Sequence, residues 1–245
     1  MKRTPIPGSK FQRFRTAEEG YARNLRKIAR HIGDYVNGVW SPGDLSSAAL
    51  ITDAMSRYAR SLIPWAEAVG ERMVKEVAAR DRAAWRKTAA EMGRLLGQEI
   101  DRAPTGLVMR QRMADQVSLI TSLPTEAAER VHTLTLEGIT EGRRASEVAA
   151  EILRTSKMTA ARANTIARTE VSRTSTELTR ARAEHVGSPG YIWKTANDGD
   201  RVRPSHRKMR GAFVRWDAPP TLDGMVGHAG CLPNCRCFAS PIIPN

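Results

Sequence analysis

The chain has 245 residues, with 39 Lys and Arg against 26 Asp and Glu, a net charge of +13 and a pI near 10.4. Aromatic residues make up only 5% while Ala, Arg and Glu abound, which argues against a thick mixed sheet and for long solvated helices. No apolar run approaches the roughly 20 residues needed to cross a bilayer, and Met1-Lys2-Arg3 leads into Pro5, Pro7 and Gly8 where a secretion signal would carry its apolar core. A protein without a membrane span, made in the cytoplasm, is therefore expected.

Residues 1–16 hold Lys2, Arg3, Lys10, Arg13 and Arg15 and no acidic group. This predicts a flexible basic arm, either solvated or in contact with nucleic-acid phosphates. From Ala17 to about Asn37, Tyr21, Leu25, Ile28, Ile32, Tyr35 and Val36 recur every three or four residues, one apolar stripe of an amphipathic helix. A turn at Ser41-Pro42-Gly43 follows. Asp44 is placed to cap a second helix reaching Ile63, and Pro64 suits the first turn of a third that extends to about Asp101. On that helix Trp65, Val69, Met73, Val77, Trp85, Met92, Leu96 and Ile100 are assigned to packing rather than to ligand binding. Helices over 107–121 and 125–138 are expected on either side of Pro124, then 147–154, then a long Ala- and Arg-rich helix over 158–185 closed by Gly187.

Helical periodicity stops at Gly187-Ser188-Pro189-Gly190. Extended pieces at 191–194, 212–216 and 237–243, set among turn residues, predict a small sheet. The overall expectation is a mainly α protein with a small C-terminal α+β module: an extended helical N-terminal region, then a compact module with a short sheet. Charge is denser at the end, since residues 1–150 carry +6 and residues 151–245 carry +7.

Three groups of residues in the last hundred could carry chemistry. In the stretch from Trp193 to His206, Asp198, Asp200 and His206 could act as acid, base or metal ligands. Alternatively Asp200 and Arg203 belong to a capping and salt-bridge network that fixes an irregular loop. No nucleophile elbow or phosphate-binding Gly loop accompanies them, which favours the network. The second group is Cys231-Leu-Pro-Asn-Cys235-Arg-Cys237, which with His206 or His228 could bind a structural zinc through His206, Cys231, Cys235 and Cys237. Buried free thiols, a disulfide, or a nucleophilic cysteine beside Arg236 remain open. The third is the run of Arg162, Arg168, Arg173, Arg180 and Arg182. All but Arg182 stand with Lys2, Arg3, Lys10, Arg13 and Arg15 as candidate phosphate contacts, with pairing to Glu170, Glu177 and Glu184 as the alternative.

Taken together, Ala163-Asn-Thr-Ile-Ala-Arg168-Thr-Glu170, Trp193-Lys-Thr, Asp200-Arg-Val-Arg203-Pro-Ser-His206, Gly211 and Pro233-Asn-Cys235-Arg-Cys237 resemble the Mu F-like phage head morphogenesis family, also called minor head or minor capsid proteins. Leu232 stands where many members have His. The resemblance runs from about Thr140 to the end. It implies a non-enzymatic protein made in the infected bacterial cytoplasm and carried inside the head near the portal. Other head proteins, packaged double-stranded DNA and its ejection come with that reading. On it, residues 17–138 are a helical region for portal or head-protein contacts and residues 139–245 the Mu F-like module, helical to about 187 and sheet-containing over 188–245. Arg168, Glu170, Trp193, Asp200, Arg203, His206, Cys235 and Cys237 are its motif residues, with structural roles. A phage-carried toxin or nuclease using the Asp198, Asp200, His206 and cysteine cluster is the alternative.

Overall fold

The computed structural model describes residues 3–5, 14–92, 94–196 and 202–244. Helices fill most of them: α1 (Arg15–Val39), α2 (Leu45–Ser61), α3 (Ile63–Met92), α4 (Arg94–Arg102), α5 (Thr105–Thr140), α6 (Ala145–His185) and the short α7 (Pro204–Lys208). The strands are β1 (Arg3–Pro5), β2 (Gly190–Thr195), β3 (Phe213–Arg215), β4 (Thr221–Leu222), β5 (Met225–Val226) and β6 (Cys237–Pro244). The protein is mainly α with a small C-terminal antiparallel sheet, as its composition and periodicity indicated.

Of the predicted basic arm, Arg3–Pro5 forms β1 and Arg15 opens α1, whereas Lys2, Lys10 and Arg13 lie outside the described residues. Asp44 caps α2 as expected, its carboxylate accepting from the Ser46 N–H. Two expected breaks are absent. α5 runs through Pro124, because burial of Ile120, Leu123 and Ala127 on one face offsets the single backbone bond that proline removes. α6 continues through Thr155-Ser156-Lys157. That stretch contains no Gly or Pro, and Thr155 and Thr159 face inward, with the Thr159 hydroxyl donating to the Thr155 carbonyl at 2.8 Å.

The chain groups into two compact units. One comprises residues 19–70 and 114–167 and is wholly helical. Its α1 stripe of Leu25, Ile28, Ile32 and Val36 is buried. Polar pairs then fix the helices in register: Tyr21 Oη donates to Gln116 Oε1 at 2.8 Å, and Trp40 Nε1 to Thr135 Oγ1 at 2.9 Å. The other unit comprises the described residues of 1–18 with 71–113 and 168–245. It contains the four-stranded sheet, in the order β1-β6-β2-β3, all antiparallel. The register Trp193↔Ala239 and Tyr191↔Val214 sends Tyr191 and Trp193, two residues apart, to one face. There they join Trp85, Ile100, Val214, Trp216 and Leu232 in a single core. Trp85, Val69, Met73, Val77 and Ile100 are buried as the packing assignment required, and Trp65 is half-buried.

Candidate functional site: the terminal loop and its anchors

Residues 227–237 form a loop laid along α6. Thr169, Arg173 and Thr176 follow one another at intervals of four and three, so they share a face of that helix. Each binds the loop backbone. Thr169 Oγ1 accepts from the Asn234 N–H at 2.9 Å, Arg173 Nη2 donates to the Cys231 carbonyl at 3.0 Å, and Thr176 Oγ1 donates to the Ala229 carbonyl at 2.7 Å. Asn234 adopts φ +56, a left-handed conformation that Asn tolerates better than most residues. Its side-chain oxygen accepts from Arg168, which also reaches Glu18 Oε1 at 2.9 Å. Glu170, buried, meets Arg173 at 3.1 Å and Arg112 at 3.7 Å, and Arg112 also meets Glu177 at 3.1 Å.

A second anchor comes from β4 and β5. Thr221↔Val226 and Leu222↔Met225 pair across Asp223 (φ +53) and Gly224 (φ +76), the two-residue type I′ turn that Asp-Gly favours. This turn presents the Asp223 carboxylate to Ser205 Oγ at 2.9 Å and Arg203 Nη1 at 3.3 Å. Both contacts hold its acid below the ordinary carboxylate range, the serine hydrogen bond most of all. The other arm of Arg203 donates to the Pro233 carbonyl. Arg168 and Arg203 thus grip adjacent residues of one turn from two directions.

Pro204 opens α7 and His206 turns inward, 1% exposed. His206 Nδ1 lies 3.3 Å from Cys235 Sγ and 3.6 Å from Cys237 Sγ, and Nε2 lies 3.9 Å from Asp223 Oδ2. The ring meets Trp193 edge-on with centroids 5.7 Å apart. The Cys237 N–H donates to Cys235 Sγ at 3.4 Å. Hydrogen bonding from Cys237, from His206 and from that amide lowers the Cys235 thiol, and the same Cys235 contact raises Cys237. Cys231 stands outside this group of three; burial, then Glu177, push its thiol up to about 12.

His228 is engaged elsewhere. Its Nε2 is 3.1 Å from the Trp216 carbonyl, which can only accept, so that nitrogen carries the proton. Nδ1 then accepts from Tyr191 Oη at 3.2 Å, and Tyr191 Oη accepts from the Ala229 N–H at 3.1 Å. Burial raises the Tyr191 phenol and lowers the His228 imidazole.

The motif residues Arg168, Glu170, Trp193, Arg203, His206, Cys235 and Cys237 all belong to the sheet-containing unit and bear on this loop or its core; Asp198 and Asp200 lie outside the described residues. Among the proposed phosphate contacts, Arg162 pairs with Glu126 at 3.2 Å, Arg180 with Glu184 at 2.9 Å, and Arg15 is exposed. Residue patterns missed Thr169, Thr176, Arg112 and Asp223. Asp223-Gly224 had a usable signal, the strongest short hairpin dipeptide; the other three had none, being ordinary helical residues.

Residues 129–240 match the family described as "Phage Mu protein F like protein". The chain is also similar to an uncharacterized protein of Haemophilus influenzae, 33% identical over 132 residues that make up 54% of this chain and 29% of that protein. It therefore spans less than a third of that relative's length. No solved structure matches. Among the described residues no helix is long and apolar enough to cross a membrane. The loop, the helix face that holds it and the motif residues between them thus fall within the segment that matches the phage Mu protein F-like family.

Proposed function

We propose that the chain is a non-enzymatic minor head protein of a tailed phage, acting in head morphogenesis from inside the virion near the portal. It is synthesised in the host bacterial cytoplasm. The family match supports this reading, and so does the use the motif residues make of one another. The observation that carries it is Asn234, which takes one hydrogen bond from Arg168 and gives another to Thr169. The signature side chains spend their polar groups on closing a loop, as a structural module would. On this reading the helical residues 17–138 supply contacts with the portal or another head protein.

Contact with packaged double-stranded DNA rests on the net charge of +13 rather than on one phosphate-tracking face, since Arg162, Arg168, Arg173 and Arg180 all have carboxylate partners. It would accompany the genome and its ejection. Co-sedimentation tests the main claim: the protein should travel with proheads and purified particles, and its absence from both refutes the role. Filter binding of duplex DNA across a salt series tests the second, with retention expected to fall steeply as salt rises.

A further inference from the structure

We infer that His206, Cys235 and Cys237 hold one thiophilic metal ion of the zinc class, bound through His206 Nδ1 and the two sulfurs. The three ligand atoms lie within 4.8 Å of one another, and the residues are each 1% exposed. In a tetrahedral zinc site with Zn–S of about 2.3 Å and Zn–N of about 2.0–2.1 Å, nitrogen and sulfur stand roughly 3.5 Å apart. The two observed separations, 3.3 and 3.6 Å, bracket that value.

The Cys-x-Cys spacing, which looks too tight for two ligands, straddles the entry into β6 at Cys237, and both sulfurs nevertheless come onto the same imidazole nitrogen. The Cys237 N–H aimed at Cys235 Sγ is the donor a metal-bound thiolate would accept. The outer side of the histidine is prepared too. A metal-binding imidazole commonly gives its second N–H to a carboxylate, which fixes its tautomer. Among the described residues Nε2 has no hydrogen-bond partner, and it faces Asp223 at 3.9 Å. That carboxylate is already held by Ser205, Arg203 and the Asp-Gly turn.

Cys231 is not a ligand in this arrangement, so the donor set is two cysteines and one histidine rather than three cysteines and one histidine. Binding releases the protons of Cys235 and Cys237 to solvent. The ion ties α7 to the start of β6, next to the contact that Arg203, just before α7, makes with the Pro233 carbonyl of the loop.

The test is cobalt titration of the full chain, purified under reducing conditions, with zinc content of the untreated protein measured in parallel. We expect about one equivalent of metal per chain and a thiolate-to-cobalt charge-transfer band. Both should persist in Cys231→Ser and vanish in Cys235→Ser and His206→Ala. Asp223→Asn, at a positioning residue, should weaken zinc affinity roughly 10- to 100-fold while leaving the cobalt band intact at saturation. If the wild-type protein takes up no stoichiometric metal and shows no such band, the site does not exist. Loss of the band in Cys231→Ser, with retention in Cys235→Ser, overturns the ligand assignment. Wild type and Cys231→Ser remain decisive even where the other variants fail to fold, and neither depends on the phage role.

Discussion

Arg182 on α6 is ion-paired with Asp81 on α3, with side chains 3% and 1% exposed, and Thr179 Oγ1 donates to the other carboxylate oxygen at 2.6 Å. Two charges are thereby taken out of water together inside the sheet-containing unit. Burial lowers the Arg182 guanidinium to about 10, which still leaves it charged at neutral pH.

Removing one partner strands the other. Asp81→Ala should cost about 3–5 kcal/mol in chemical denaturation, because the guanidinium stays buried without its counter-charge. The double replacement Asp81→Leu with Arg182→Met should recover most of that loss. A single-variant cost below about 1 kcal/mol would show the pair to be solvated.

Tyr191 closes a shorter circuit, accepting from the Ala229 N–H and donating to His228. Tyr191→Phe preserves the ring that lies tilted against Trp216, with centroids 4.5 Å apart, but leaves a buried amide and an imidazole nitrogen unsatisfied. We expect a stability loss of about 1–3 kcal/mol. Amide exchange at Ala229 should accelerate in parallel.

The same circuit sets a pH response. His228 has a folded pKa below its ordinary value of 6.5, chiefly through burial. Above pH 6.5 the imidazole is neutral in both states and its share of stability is intact. As pH falls from there to the folded pKa, the unfolded chain takes up protons that the folded chain refuses, so stability declines. His228→Gln should flatten this part of the profile, below about pH 6.5. Identical slopes in wild type and variant would discard the assignment.

Gly230 sits where the loop crosses α6, at φ +88. A Cβ there would come 2.7 Å from Thr176 Oγ1 and 3.2 Å from the Cys237 carbonyl. Gly230→Ala should therefore destabilise by more than about 1–2 kcal/mol, the cost of a left-handed backbone alone, because the clash also weakens the Thr176 contact with Ala229. Pairing it with Thr176→Ala should recover the part of the clash made by the threonine side chain and leave the part set by the backbone, as a double-mutant cycle would read out.

Several elements were legible in local pattern. The stripe from Tyr21 to Val36 announced α1 and its buried face, Asp44 announced the start of α2, and Gly187, at φ +78, announced the end of α6. Pro124 misled, since its local cost is real but smaller than the burial that carries α5 past it. The cysteine cluster was legible as a group, yet its membership was not. Spacing grouped Cys231 with Cys235 and Cys237, whereas among the described residues it is His206, from 29 positions before Cys235, that comes together with those two.

The residue sequence by itself determined the helical majority, the short terminal sheet, the basic charge and the motif residues of the phage Mu F-like region, because each depends on composition or on neighbours a few positions away. Only the tertiary structure decided what those residues do. Thr169, Arg173 and Thr176 would share a helix face whatever lay against it; the return of a loop 65 residues beyond Thr169, bringing Asn234 onto that hydroxyl, makes the face an anchor. His206 and Cys235, 29 positions apart, meet for the same reason. Long-range contacts follow from how the core of Trp85, Trp193 and Trp216 closes, and no local periodicity encodes that closure.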